Sequence, residues 1–329
     1  MIPTAPGALV FFRVVADCKG RPAALLLECG AGEQAAIAAL TARAEVENLT
    51  LSMPCLFTPA AVDDALAAAL QVHGWRALGP ASVCRADQHL PDACAPGVSW
   101  IDGDWCMAPP LASPSAQVAE RGIALQMVQL VALDADTHEI EALLRRAPAI
   151  SYNLLRLVNS LGVGGGRRII SFSQALLLLG RQQLRRWLNL VLFAARQGDV
   201  RSHMLLARVS LRARALEMLA RARGLDKITQ EQAFMTGMFS LLGVLFCMPL
   251  AQVLAPLALG EAVHPALLRR EGELGMLLTL FEALEQGDFA SAAVQVDGLQ
   301  IERAACNLAL VDAAAWMQGA VRESQGGHA

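Results

Sequence analysis

The stretch "APAISYNLLRLVNSLGVGGGRRIISFSQALLLLG", Ala147 to Gly180, decides how this chain is read. Its order is helix, glycine turn, second helix. The glycine turn before Arg167 and Arg168 invites two readings, a phosphate cradle or the end of a helix. "GVGGGRR" lacks the GxxxxGK[ST] order and follows a helix rather than a strand. Gly162 stands where a helix C′ residue takes positive φ at little cost. The helix-ending reading is preferred, and Arg167 and Arg168 are kept as contributors to a basic surface.

Downstream, the apolar positions Leu184, Trp187, Leu188, Val191, Leu192 and Ala195 follow i, i+3, i+4 spacing. Arg181, Arg185 and Arg186 fall largely off that stripe. Ser202 precedes a long arginine-rich helix to Ala222, stopped by Gly224. Further helices are expected around 230–248, 263–286 and 300–320. Upstream, Asp134 or Asp136 can cap a helix through "HEIEALLRRA". Nothing after about residue 117 reads as strand.

The segment "APPLASPSA", Ala108 to Ala116, opposes any regular element with three prolines and two serines. Before it the pattern changes. "ALVFFRVVADCKGRPAALLLE" reads as two strands around a Lys19-Gly20 turn. "EQAAIAALTARA" has helical spacing, and "LTLSMPCLFT" reads as a buried strand. "PAAVDDALAAALQVHG" reads as a helix with Pro59 near N1 and Gly74 as its stop. "VSWIDGDWCM" closes the series as another strand. The expected organisation is α+β overall: a small α/β unit over 1–110, a linker over 111–117, and an all-α helical bundle over 118–325.

At 329 residues the chain has room for two cores. Its net charge of -3 hides an asymmetry. Residues 1–144 carry 7 basic and 16 acidic side chains, whereas 145–223 carry 15 arginines against Asp199 and Glu217. Residues 224–329 return to 5 basic and 12 acidic. The net charge suggests neither a nucleic-acid binder nor an acidic tail, and the middle helices are a positive block inside an acidic protein. Eight cysteines without CxxC spacing, and no basic region before the first apolar run, fit a reduced, cytoplasmic setting. The uncharged run Ala233–Gly260 reaches membrane-spanning length, but Pro249 and Pro256 divide it, so a buried core helix is expected.

Five stretches together resemble the HDOD domain of bacterial signalling proteins: "SYNLLRLVNS", "IISFSQALLLLGRQQLRRWL", "MFSLLGVLFCMPLAQVLAPLAL", "LLRREGELGMLLTLFEALEQGDF" and "LALVDAAAWMQ". The resemblance covers about 120–320. It implies a helical fold related to the HD phosphohydrolases without their metal site, in a non-catalytic signalling or scaffolding module. The similar architecture is one in which a degenerate EAL-like domain precedes HDOD. "DGDWCMAPP" at the boundary resembles the closing strand-and-proline segment of an EAL domain. An intact EAL domain is a TIM-type barrel of ~250 residues, so the resemblance implies a truncated remnant here.

The residues themselves offer little chemistry. None of the six histidines is followed by aspartate, and no two sit at i, i+4 on a helix face. Hydrolysis of a cyclic dinucleotide in the EAL manner needs several carboxylates around paired metals. Asp63 and Asp64 are neighbours on a helix and point apart. Asp102 and Asp104, at i, i+2 on a strand, share a face, yet a solvated turn is preferred. No G-x-S-x-G is present, and sequence adjacency of Cys18 to Lys19 or Cys84 to Arg85 does not make an activated thiol. No catalytic residue, metal ligand or cofactor is expected.

The arginine block is the functional lead. Three readings stay open: neutralisation inside the chain, an acidic protein partner, or an anionic ligand such as a nucleotide or cyclic dinucleotide held by bidentate guanidinium contacts. The candidate binding residues are Arg156, Asn159, Arg167, Arg168, Arg185, Arg186, Arg208 and Arg212. Asn159 either satisfies helix-end carbonyls or, with Arg156, lines the groove where an HD-type site would open. The expected function is that of a pseudoenzyme in bacterial signal transduction, acting by protein or anionic-ligand binding, with no nucleic acid and no membrane. The rival is an atypical metal-dependent phosphohydrolase.

Overall fold

The computed structural model describes residues 7–30, 34–79, 81–110, 126–127, 129–130, 135–145, 199–255, 259 and 261–325. The glycine turn, the stripe from Leu184 to Ala195, the linker 111–117 and the helix over 150–160 lie outside the described residues. The first part is a six-stranded sheet in the order β4-β3-β2-β1-β6-β5. Among the described residues after Pro110, every regular element is a helix.

β1 (Val10–Ala16) and β2 (Pro22–Cys29) form an antiparallel hairpin. Its turn follows from Asp17, whose carboxylate accepts from the Lys19 and Arg21 amides at 2.9 Å each, and from Gly20 at φ 75°. α1 (Gln34–Thr41) and α2 (Ala44–Ser52) return the chain to β3 (Cys55–Phe57), parallel to β2. The strand expected over "LTLSMPCLFT" is corrected here: Leu49 to Ser52 close α2, and only Cys55 to Phe57 are extended. Pro54 is the cause, because it drives Met53 into the extended region (φ -154°, ψ 144°) and so ends the helix.

Pro59 opens a single 3₁₀ turn, Pro59–Ala61, before α3 (Asp64–Val72). Asp63 caps α3 by accepting from the Leu66 amide at 2.7 Å, and Gly74 ends it at φ 82°. Two short strands were not foreseen, β4 (Arg76–Ala77) and β5 (Val83–Arg85). Two or three residues give too little alternation to read. β6 (Trp100–Asp102) pairs parallel to β5 and antiparallel to β1.

α4 (Thr137–Arg145) begins where Asp136 accepts the Glu139 and Ile140 amides through its backbone carbonyl. α5 (Ser202–Ala222) has the expected bounds, with Gly224 beyond it at φ 84°. It is buried nearly all round, including Arg208 and Arg212, which marks it as the central helix. It packs against α6 (Lys227–Phe239), β1, and the last helix, named below.

The long helix expected around 230–248 is instead broken. α6 stops at Ser240, α7 (Leu242–Phe246) ends on Cys247 at φ 52°, and α8 (Leu250–Leu254) restarts after Pro249. Phe234, Met238, Phe239, Leu242 and Phe246 are all buried, so this run is core. No helix among the described residues is long and apolar enough to cross a membrane. The helix expected over 263–286 is also two, α9 (Val263–Arg269) and α10 (Gly272–Glu285), separated by Arg270 at φ 58°. α11 (Phe289–Gly298) and α12 (Arg303–Gln325) complete the chain.

Gly237 lets α6 lie on α5. A Cβ there would stand 2.6 Å from the Ala213 Cα and 2.9 Å from its nitrogen. Gly237→Val is expected to destabilise by about 3 kcal/mol, since backbone cannot yield as a side chain does. The urea midpoint is the measurement. One further expectation fails: the cysteines are not all thiols, because Cys18 and Cys94 form a disulfide. The β1–β2 turn and the loop before β6 bring together residues 76 apart in sequence.

Candidate functional site

Arg208 and Arg212 are four residues apart and share the face of α5 that meets the sheet. Arg208 donates to Asp104 Oδ1 at 2.6 Å and to the Gly103 carbonyl at 2.8 Å. Gly103 closes β6 with φ 112°, and a Cβ there would fall 2.2 Å from the Ala86 carbonyl oxygen. Only glycine makes this bend, and the bend aims both acceptors at α5. Burial works against the Arg208 charge, but Cys106, Glu285 and Asp104 outweigh it and hold the guanidinium above its ordinary range.

Arg212 reaches the opposite way. Its Nη1 donates to Ser240 Oγ at 2.9 Å and its Nη2 pairs with the Glu285 carboxylate. Its guanidinium lies over the Phe281 ring, 5.7 Å from the centroid. Phe281 in turn meets Phe11 of β1 edge-on at 5.6 Å.

Arg13 of β1 completes the seam. It grips Glu28 of β2 with two 2.9 Å hydrogen bonds and donates to the Glu285 carbonyl of α10 at 2.8 Å. Burial opposes its charge as well, and the Glu28 hydrogen bond and charge more than offset this, so its pKa is raised. Asp102 lies 3.8 Å from Arg13 Nε, and among the described residues its Oδ1 is buried without a hydrogen bond.

A second contact sits at the start of α5. Arg201 holds Asp199 through 2.8–3.3 Å hydrogen bonds and donates to the Ala108 carbonyl at 2.6 Å. On the far side of α5, Arg214 reaches Asp312 of α12 at 2.6 Å and Glu217 at 3.0 Å. Uncharged contacts extend the junction: Asn307 of α12 accepts from the Val10 amide and donates to the Ala8 carbonyl, and Gln318 donates to the Leu49 carbonyl.

Of the sequence candidates, the structure places Arg208 and Arg212 together in this seam, buried and bonded within the chain. Arg156, Asn159, Arg167, Arg168, Arg185 and Arg186 lie outside the described residues. Asp102 and Asp104 do not share a strand face as expected. The strand ends at Asp102, Gly103 turns the chain, and each carboxylate faces a different arginine. Sequence reading missed Arg13, Glu28 and Glu285, which stand on separate elements; only the i, i+4 spacing of Arg208 and Arg212 was a visible signal. Burial pushes the Cys55 and Cys306 thiols up to about 12, which suits packing rather than nucleophilic chemistry. Among the described residues, no three of His, Cys, Asp and Glu are grouped to hold a metal ion.

Residues 121–257 match the family model of the HDOD domain. The chain is 30% identical over 223 residues to the cyclic di-GMP phosphodiesterase CdgJ of Vibrio cholerae, covering 68% of this chain and 51% of that protein. It is 26% identical over 163 residues to the uncharacterized protein YuxH of Bacillus subtilis, covering 49% and 39%. The chain thus spans about half, or less, of the length of these curated relatives. A crystal structure of a candidate phosphohydrolase from Shewanella amazonensis superposes at a TM-score of 0.44 with 13% identity, over 64% of this chain and 98% of the other.

Proposed function

We propose, from the premise that this chain carries an HDOD domain, that it is a regulatory protein of bacterial signal transduction acting by binding and without turnover. The observation that carries this reading is the fate of the two carboxylates at the end of β6. Phosphodiester hydrolysis through paired metals needs carboxylates converging on one point. Here Arg208 holds Asp104 at 2.6 Å while Asp102 stands 3.8 Å from Arg13, so each carboxylate faces a different guanidinium, whose charge opposes a cation shared between them. The sheet unit is read as a remnant of an EAL-like domain whose ancestral site has become a structural seam.

In this account Arg201 and Arg208 of the basic block fasten the sheet unit to α5, Arg13 fastens it to α10, and Asn307 and Gln318 fasten it to α12. A protein partner acts on the HDOD domain, and the seam transmits its binding to the sheet unit. The test is incubation of the purified chain with cyclic di-GMP and Mg²⁺ or Mn²⁺, followed by chromatography of the nucleotides. The reading expects the dinucleotide intact at the rate of the metal-only control. Linear product that scales with protein and disappears with chelator overturns it.

A second reading is that of a cyclic-dinucleotide sensor, favoured by the similarity to the cyclic di-GMP phosphodiesterase of Vibrio cholerae. Thermal unfolding against cyclic di-GMP separates the two. At ~100 times its dissociation constant, a bound ligand stabilises by ~2.7 kcal/mol, so a clear rise in Tm supports the sensor and an unchanged Tm leaves the protein partner.

A further inference from the structure

The disulfide lies where three segments of chain meet. Gly20 of the β1–β2 turn is buried, and a Cβ there would stand 3.0 Å from Leu90 Cδ2, 3.0 Å from the Trp105 ring and 3.5 Å from the Val200 carbonyl oxygen. Val200 separates Asp199 from Arg201, the buried pair that grips Ala108 at the start of α5. The turn is therefore wedged between the 87–99 loop, the sheet unit's Trp105 and the segment that leads into the central helix.

That loop has few other restraints. Residues 87–99 contain neither helix nor strand, and most of them are exposed. Among the described residues, the backbone hydrogen bonds of 88–98 reduce to Val98 N–H donating to Ala95. Leu90 and Cys94 are the loop's apolar side chains packed on the main core. A segment with so few protected amides opens easily, and the Cys18–Cys94 bond is its strongest anchor. Both cysteines are only partly buried, so a small thiol can reach them.

We propose that Cys18 and Cys94 are a reversible dithiol–disulfide pair that fastens the 87–99 loop over the β1–β2 turn and thereby sets the order of the chain leading into α5. Closure is an exchange. One protein thiolate attacks a low-molecular-weight disulfide and releases one small thiolate. The second protein thiolate then attacks the mixed disulfide and releases the other. The two protein thiols lose two electrons and two protons, and the small disulfide gains them as two thiols. The device does not depend on which ligand or partner the HDOD domain takes.

The experiment equilibrates the full chain in oxidised and in reduced glutathione, followed by alkylation in denaturant, mass spectrometry and hydrogen exchange. The six remaining cysteines are free, so the oxidised sample is expected to leave Cys18 and Cys94 unalkylated and joined to each other, and the reduced sample to alkylate at all eight cysteines. Reduction is expected to speed exchange about tenfold or more over 88–98, and measurably over 19–21 and 200–205. The variant Cys18→Ser/Cys94→Ser should match the reduced protein in either buffer. If it does not fold, the reduced native chain carries the comparison. Alkylation of Cys18 and Cys94 in the oxidised buffer overturns the proposal, as does acceleration confined to 88–98.

Discussion

Arg208→Glu is expected to lower the unfolding free energy by about 3–5 kcal/mol, the cost of leaving buried charge without its partner. The Arg208 side chain is 7% exposed and lies among Asp104, Glu285 and Cys106. A carboxylate placed there adds repulsion to desolvation, and the Gly103 carbonyl loses its donor. Arg208→Met separates the two contributions. It keeps the packed stem and removes the charge, so the loss is expected to fall to about 2 kcal/mol, the scale of hydrogen bonds to a charged group. Asp104 is 58% exposed, so Asp104→Asn should cost much less than either, because water replaces its partner. Urea unfolding of the three variants measures the order.

Phe281→Ala has the second large effect, about 3–5 kcal/mol. The ring is fully buried, meets Phe11 edge-on and lies under the Arg212 guanidinium. Its removal leaves a cavity at the junction of β1, α5 and α10, where fixed backbone on three sides limits collapse. The same truncation at a peripheral helix face would cost far less. Phe281→Leu, which retains most of the volume, is expected to recover more than half of the loss, read again as a urea midpoint.

Much of this fold was legible because local chemistry declared it. The β1–β2 hairpin is written in Asp17, Lys19 and Gly20, and α5 in its flanking Ser202 and Gly224. The break at Cys247 was hidden because Leu241 to Met248 hold only apolar residues and Gly243, so no change of period marks Cys247 as a left-handed stop ahead of Pro249. The strand misread at Leu49 to Ser52 has a related cause. β-branched and apolar residues there fit either period, and Pro54 decides the boundary.

The seam was the least legible part. Arg13, Glu28, Asp104, Arg208 and Glu285 are scattered over the chain, and only folding sets them side by side. The basic block suggested arginines turned outward or inward with equal composition. In its described part Arg201, Arg208 and Arg212 turn inward, since Asp199, the turn after β6 and Glu285 of α10 lie within reach, while Arg221 stays exposed. The disulfide was illegible for the same reason: a spacing of 76 residues carries no signature in sequence.

The central structural claim is that the sheet unit and the helical region form one cooperative piece through Arg208. Native-state hydrogen exchange tests it most directly, comparing the wild type with Arg208→Met at amides Phe11–Val15 of β1 and Leu205–Ala213 of α5. In the wild type both sets should report the same opening free energy. In the variant both should fall by the same amount, matching the loss seen in urea. Faster exchange in α5 with β1 unchanged, or in β1 with α5 unchanged, would contradict the claim and leave the two parts as neighbours without a common lock.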